Sequence, residues 1–194
     1  ADLVGRYECA DNKLVELGIL PEGAWKAQYA DYIRNGMVSQ LSRIELGKDV
    51  TESHMQNRKL IAEWCYEHGQ GDNVIERVVE NGKTYFVIRD YDKLRGLFAE
   101  LLAEVQRIKA EGDYAAAKEM VEKYAVKVDP ELHKEVKARY EALNLKPYGG
   151  FINPEIIPVV ENGQVVDYKV EYPSDFVEQH LNYGKNYSFL NSER

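Results

Sequence analysis

The dipeptide Asn81-Gly82 stands between two runs rich in β-branched and aromatic residues, Val-Ile-Glu-Arg-Val-Val-Glu before it and Lys-Thr-Tyr-Phe-Val-Ile-Arg after it. Asn and Gly both tolerate the positive φ that the central positions of a type I′ turn require, and that turn matches the twist of the strands it joins. The stretch from about 74 to 89 is therefore predicted as a β-hairpin. A second pair, Asn162-Gly163, sits in a similar pattern from Val159 to Val170. The pentapeptide Val-Val-Glu-Asn-Gly occurs at 78–82 and again at 159–163, but its surroundings do not repeat, so shared turn chemistry explains it better than duplication.

Around the first hairpin the apolar residues recur at helical spacing. Leu3, Val4 and Tyr7 begin the pattern and Leu14 and Leu17 extend it. No cap or turn precedes them, which suggests an excised fragment. Pro21 suits the start of a long helix carrying Ala24, Tyr29, Ile33, Met37, Leu41 and Ile44, with Gly47 as its stop. Thr51 is the expected N-cap of the next helix, whose anchors are Met55, Ile61, Trp64 and Cys65 before Gly69. Helices are further predicted from about Asp92 to Glu111, from Tyr114 to about Val126, and from Asp129-Pro130 through Leu132, Val136, Tyr140 and Leu143. The fold class is thus mainly α with small β elements (α+β).

After Leu145 the character changes. Pro147, Gly149, Gly150, Pro154, Pro158 and Pro173 replace helix formers, and the second hairpin lies among them. Residues 1–145 read as a helical lobe with a hairpin insertion and 146–194 as a separate, β-containing segment. Its last part is expected to be a helix capped by Ser174 that gives way to an irregular tail.

The 194 residues are 44% hydrophobic and 30% charged, ordinary for a folded globular chain. A net charge of −8, with no cluster of Lys and Arg, leaves no footprint for gripping phosphates, so nucleic acid is not an expected partner. No apolar run approaches the roughly 20 residues that span a bilayer, so no membrane partner is expected and a cytoplasmic setting is the default. Cys9 and Cys65 both fall in helical patterns and read as small hydrophobes rather than a disulfide.

Parts that activate water or a nucleophile are not visible. The four histidines are scattered without a His-Glu-x-x-His pair, and neither a Gly-x-Ser-x-Gly elbow nor a phosphate-binding glycine loop occurs. His68 reads as a helix C-cap, while His133 and His180 are expected to face water. Trp25 and Trp64 read as core or interface aromatics. The chemically suggestive pair is His54 and Arg58, four residues apart on one helix and hence on one face. A hydrogen-bond donor beside a fixed cation suits a site that polarises a carbonyl and holds a carboxylate. The same pair also suits a plain polar helix edge.

Four words of the sequence, in order, resemble the dipeptidyl peptidase III zinc metallopeptidases, in their bacterial branch: Ala1-Asp2-Leu3-Val4-Gly5-Arg6-Tyr7, Ile44-Glu45-Leu46-Gly47-Lys48, Ser53-His54-Met55-Gln56-Asn57-Arg58, and Lys146-Pro147-Tyr148-Gly149-Gly150-Phe151-Ile152-Asn153-Pro154. Members of that family release dipeptides from the N-termini of short peptides. Their zinc is held by a His-Glu-x-x-x-His helix and by a Glu of a later Glu-Glu-x-Arg-Ala-Asp/Glu motif. Ala1-Asp2 is similar to the end of that later motif. The resemblance then implies that the zinc ligands lie upstream of residue 1, in a missing N-terminal part, and that this chain holds no metal alone.

It further implies a role for each matched residue. Asp2 would accept the free N–H of a zinc-bound histidine and so orient its ring. His54 would donate to the scissile carbonyl or its oxyanion, a contact worth about 2.7 to 4 kcal/mol in a transition state. Arg58 would steady the substrate, and Lys146 would face the peptide's C-terminal side, although the family's Arg-Lys pair reads Leu145-Lys146 here. The implied fold is a helical zinc lobe and a second lobe with a small β-barrel, the chain crossing between them near Leu145. A tail without its other half is expected to self-associate through exposed apolar surface. The rival expectation is a non-catalytic helical module that binds peptides or proteins. An inactive scaffold descended from the peptidase is a third.

Overall fold

The computed structural model describes residues 1–145, 150–173 and 175–188. It is mainly α with two small antiparallel hairpins: α1 (Asp2–Glu8), α2 (Asn12–Glu16), α3 (Ala24–Met37), α4 (Ser53–His68), β1 (Ile75–Glu80), β2 (Lys83–Ile88), α5 (Tyr91–Glu111), α6 (Tyr114–Val121), α7 (Pro130–Ala142), β3 (Glu155–Glu161), β4 (Gln164–Glu171) and α8 (Phe176–Tyr187). Contacts divide the chain into two compact units, Ala1–Asn144 and Leu145–Arg194. None of its helices is long and apolar enough to cross a membrane among the described residues.

In the first unit α3, α4 and α5 enclose the larger core. Tyr29, Ile33, Ile61, Cys65, Phe98 and Leu101 are almost wholly withdrawn from water there, and each apolar side chain of that size contributes about 1.5 to 3 kcal/mol by burial. Tyr29 meets Trp25 and Phe98 edge to face at ring centroids of 5.0 and 4.9 Å. A smaller core joins Leu41, Ile44, Val50 and Met55 to Leu132 and Val136 of α7. Aspartates cap α5, α6 and α7: Asp90 accepts from the Lys93 amide, Asp113 from Ala116, and Asp129 from Glu131 and Leu132.

Several boundaries depart from the periodicity. The first pattern is broken into α1 and α2, with Asp11 capping α2. The helix expected to reach Gly47 stops at Met37, and a 3₁₀ turn, Ser39–Arg43, replaces its last part. The buried Gln40 amide donates to the Gly36 carbonyl at 3.0 Å, satisfying one of the acceptors that a helix end leaves open. Glu52, not Thr51, caps α4, because its carboxylate accepts the amides of both His54 and Met55. Beyond Val121, α6 widens into a π-helical turn, Glu122–Val126, whose Tyr124 carbonyl receives the buried Lys59 ammonium at 3.5 Å.

Tyr140 and Leu143 are exposed rather than in register with the α7 core. His133, expected at the surface, is 2% exposed, with Nε2 3.2 Å from the Ile44 carbonyl. Its charged sequence neighbours face outward while α7 turns His133, Leu132 and Val136 toward the 3₁₀ turn. His68 does cap a helix end: Nδ1 lies 2.9 Å from the Trp64 carbonyl and the ring stacks on Trp64.

In the second unit β3 and β4 pair around Asn162-Gly163, and Gln179 of α8 ties down the preceding segment. Its side chain accepts from the Asn153 amide at 2.5 Å and donates to the Phe151 carbonyl at 2.9 Å. Asp175 is the N-cap of α8, which continues through the Asn- and Tyr-rich stretch to Tyr187. The cap expected at Ser174 lies outside the described residues.

Candidate functional site

Gly36 sets the geometry around the His54–Arg58 pair. A Cβ at that position would stand 2.6 Å from the Arg58 carbonyl oxygen and 2.7 Å from the Ala62 Cβ, so only glycine lets α3 and α4 cross this closely. The crossing presses the Arg58 turn of α4 onto the end of α3. There the buried Gln40 side chain donates to the Met55 carbonyl at 3.1 Å and accepts from Arg58 Nη1 at 3.5 Å. Arg58 is half-buried and held by a side chain whose other hydrogen bonds are already committed.

His54 stands one turn earlier, exposed in the first turn of α4. Its amide is fixed by Glu52 at 2.9 Å, while its imidazole makes no hydrogen bond among the described residues. The His54 amide hydrogen bond, followed by that of Met55 and the nearby His54 and Arg58 charges, holds the Glu52 carboxyl below its ordinary range despite some desolvation.

Asp2 reaches the same helix from α1. Its Oδ2 accepts from Asn57 Nδ2 at 2.8 Å, across 55 residues of sequence. Beside this contact lies Tyr32 of α3, 6% exposed, with the Arg6 guanidinium 4.9 Å above its ring. Burial raises the Tyr32 hydroxyl well above the usual phenol range. The Asp2 charge raises it further, and Arg6 and Arg58 oppose that shift. Among the described residues the hydroxyl makes no hydrogen bond of ordinary geometry, and neither does the buried Arg6 Nε. A buried donor left unpaired costs about 1 to 3 kcal/mol.

Of the residues singled out in the sequence, Asp2 therefore docks on α4 at Asn57, next to Arg58, and His54 is on the Arg58 face of α4. Lys146 lies outside the described residues. Gln40, Tyr32, Gly36 and Asn57 carried no expected role. Only the Gly36-to-Gln40 spacing, one helical turn, gave a local hint of the first. Among the described residues no group of three His, Cys, Asp or Glu is placed to hold a metal ion.

Apart from this junction, a groove of about 690 Å³ runs between α3, the β1–β2 hairpin and Arg139 of α7. At its edge Glu135 accepts the Thr84 amide at 2.7 Å and hydroxyl at 2.6 Å, and Arg139 donates to the Thr84 carbonyl at 2.9 Å. Compared with protein-family models the chain matches none, and no curated protein is significantly similar to it.

Proposed function

We propose that this chain is the C-terminal region of a zinc-dependent dipeptidyl peptidase of the dipeptidyl peptidase III type, acting on short peptides together with a missing N-terminal part that holds the metal. The observation that carries this is the Asp2–Asn57 hydrogen bond. Through it, the acid that the resemblance assigns to the metal side and the donor it assigns to the substrate side belong to one polar junction on α4. Asp2 suits an outer role, because Asn57 anchors one carboxylate oxygen while the side chain stays partly exposed, free to accept an N–H from outside this chain.

Zinc, when bound, supplies a water of lowered pKa and polarises the peptide carbonyl. The chain's own residues have three tasks. His54 donates a hydrogen bond to the carbonyl oxygen as it gains negative charge, and among the described residues its imidazole has no competing bond to break first. Arg58, immobilised by Gln40, adds a fixed positive charge one turn away. Asp2 holds the orientation of an incoming imidazole. The apolar faces of the second unit would be covered by the missing part, and without it they favour self-association. A cytoplasmic setting belongs to the same proposal, and the unpaired Cys9 and Cys65 suit a reducing compartment.

The test is zinc content and dipeptidyl-arylamide hydrolysis, measured side by side for this chain and for the longer product of the same gene. Zinc and activity in the longer product alone are expected. Within that product, His54→Ala should lower kcat by about 10² to 10³ while zinc content stays the same. Neither zinc nor activity in either protein would favour a peptide-binding module, for which the groove between α3 and β2 is the supporting feature.

A further inference from the structure

At the crossing of α1, α3 and α4 two buried donors, Tyr32 Oη and Arg6 Nε, have no acceptor among the described residues. The neighbouring acceptors are already engaged. Gln40 Oε1 receives Arg58, Gln28 Oε1 receives Arg6 Nη1, and the Arg6 carbonyl receives the Tyr29 hydroxyl. Asp2 is the exception. Asn57 occupies its Oδ2, whereas Oδ1 takes no hydrogen bond among the described residues, and a carboxylate has room for about four. Asp2 precedes Arg6 by one turn of α1, so it shares the helix face from which the Arg6 guanidinium reaches the Tyr32 ring at 4.9 Å, and its charge adds to the burial that raises the Tyr32 hydroxyl. Buried hydroxyls are rarely left unpaired, and Asp2 keeps a carboxylate oxygen that no donor among the described residues occupies.

We propose that Tyr32 is a positioning residue for Asp2: its hydroxyl donates to the carboxylate oxygen that Asn57 leaves free, clamping Asp2 between α3 and α4. Arg6, stacked on the ring, holds the phenol against the carboxylate. No proton is transferred. A carboxylate anchored at both oxygens offers its remaining lone pairs in one direction, as an acceptor must to fix an imidazole N–H. What Asp2 is positioned for rests on the peptidase reading. The clamp itself does not.

Thermal unfolding of this chain with Tyr32→Phe, Asp2→Ala and both together tests the clamp. Tyr32→Phe is expected to lower the Tm, and that loss should vanish in the Asp2→Ala background. An unchanged or higher Tm for Tyr32→Phe, or an equal fall in both backgrounds, overturns the proposal. Should Asp2→Ala fail to fold, the Tyr32 hydroxyl proton of the unaltered chain decides by NMR: protection from solvent exchange upholds the clamp and free exchange overturns it. In the longer gene product Tyr32→Phe should weaken zinc binding about 10-fold with KM unchanged, and unchanged zinc affinity there removes the positioning role. A longer product that binds no zinc, with the coupling intact in this chain, overturns the peptidase reading and leaves the clamp standing.

Discussion

The two hairpins of this chain are built on the same five residues and end in opposite environments. Val78–Gly82 and Val159–Gly163 both turn through Asn and Gly with positive φ, at 51° and 71° in the first and 50° and 77° in the second. In the first hairpin Ile75 and Thr84 are buried, and Phe86 packs edge to face against Tyr66 of α4. In the second, every residue of β4 is exposed, and Ile156, Val160, Tyr168 and Val170 all present more than half their surface. Local sequence determines the turn. Burial is determined by what the surrounding chain offers, and an isolated two-stranded hairpin is marginal in water.

The sharpest way to break this contrast is to truncate matched isoleucines. Ile75→Ala removes a side chain 1% exposed and should cost about 2 to 5 kcal/mol. Ile156→Ala, at a residue 64% exposed, should cost less than about 0.5 kcal/mol in the isolated chain. Chemical denaturation monitored separately for each unit would read both. Comparable losses would mean that the second hairpin has a covering surface in solution.

A smaller effect is expected where the first hairpin is clasped by α7. Thr84→Val deletes the hydroxyl that donates to Glu135 at 2.6 Å, and should destabilise the first unit by about 2 kcal/mol. Acid should loosen the same clasp. Burial alone would raise the Glu135 carboxyl, but the Thr84 and Arg139 hydrogen bonds outweigh it and hold its pKa below the ordinary value of 4.5. A carboxyl depressed on folding stabilises fully above that unfolded value and loses its contribution as pH falls through the lower, folded one. Amide exchange of β2 should therefore accelerate below about pH 4.5 in the unaltered chain and show a flatter pH response in Glu135→Gln. Among the described residues the second hairpin has no such clasp, and it should not share the transition.

The contrast also separates what the sequence could reveal from what it could not. Both hairpins, the helical class and the Asp129 cap were legible because they depend on near neighbours. So was the His54–Arg58 face, since four residues are one turn. The end of α3 was not, because the competitor for the Gly36 carbonyl is a glutamine side chain that apolar periodicity ignores. His133 was misjudged for a related reason: its charged neighbours in sequence say nothing about the Ile44 carbonyl, which lies 89 residues away. At the candidate site, the docking of Asp2 on Asn57 depends on a helix crossing that Gly36 permits, and no local spacing encodes it.

Substitution of the turn glycines asks whether the two turns are locally equivalent despite their surroundings. Gly82 and Gly163 sit at φ +71° and +77°, and a Cβ at either would meet no atom within 4 Å. The cost of Gly→Ala is then conformational alone, about 1 to 2 kcal/mol at each turn for placing an L side chain in the left-handed region. In the first hairpin the tertiary contacts of Ile75 and Thr84 keep the strands paired, so Gly82→Ala should lower the unit's stability by that increment and leave its cross-strand contacts in place. In the second, no buried side chain on β4 opposes fraying, and the same increment should abolish most of the pairing between Val160 and Val165, read as loss of cross-strand NMR contacts. Equal retention of pairing in both variants would show that β3–β4 is supported by contacts equivalent to those of the first hairpin. An equal energetic cost with unequal structural consequence would place the difference between the hairpins in their packing and not in their turns.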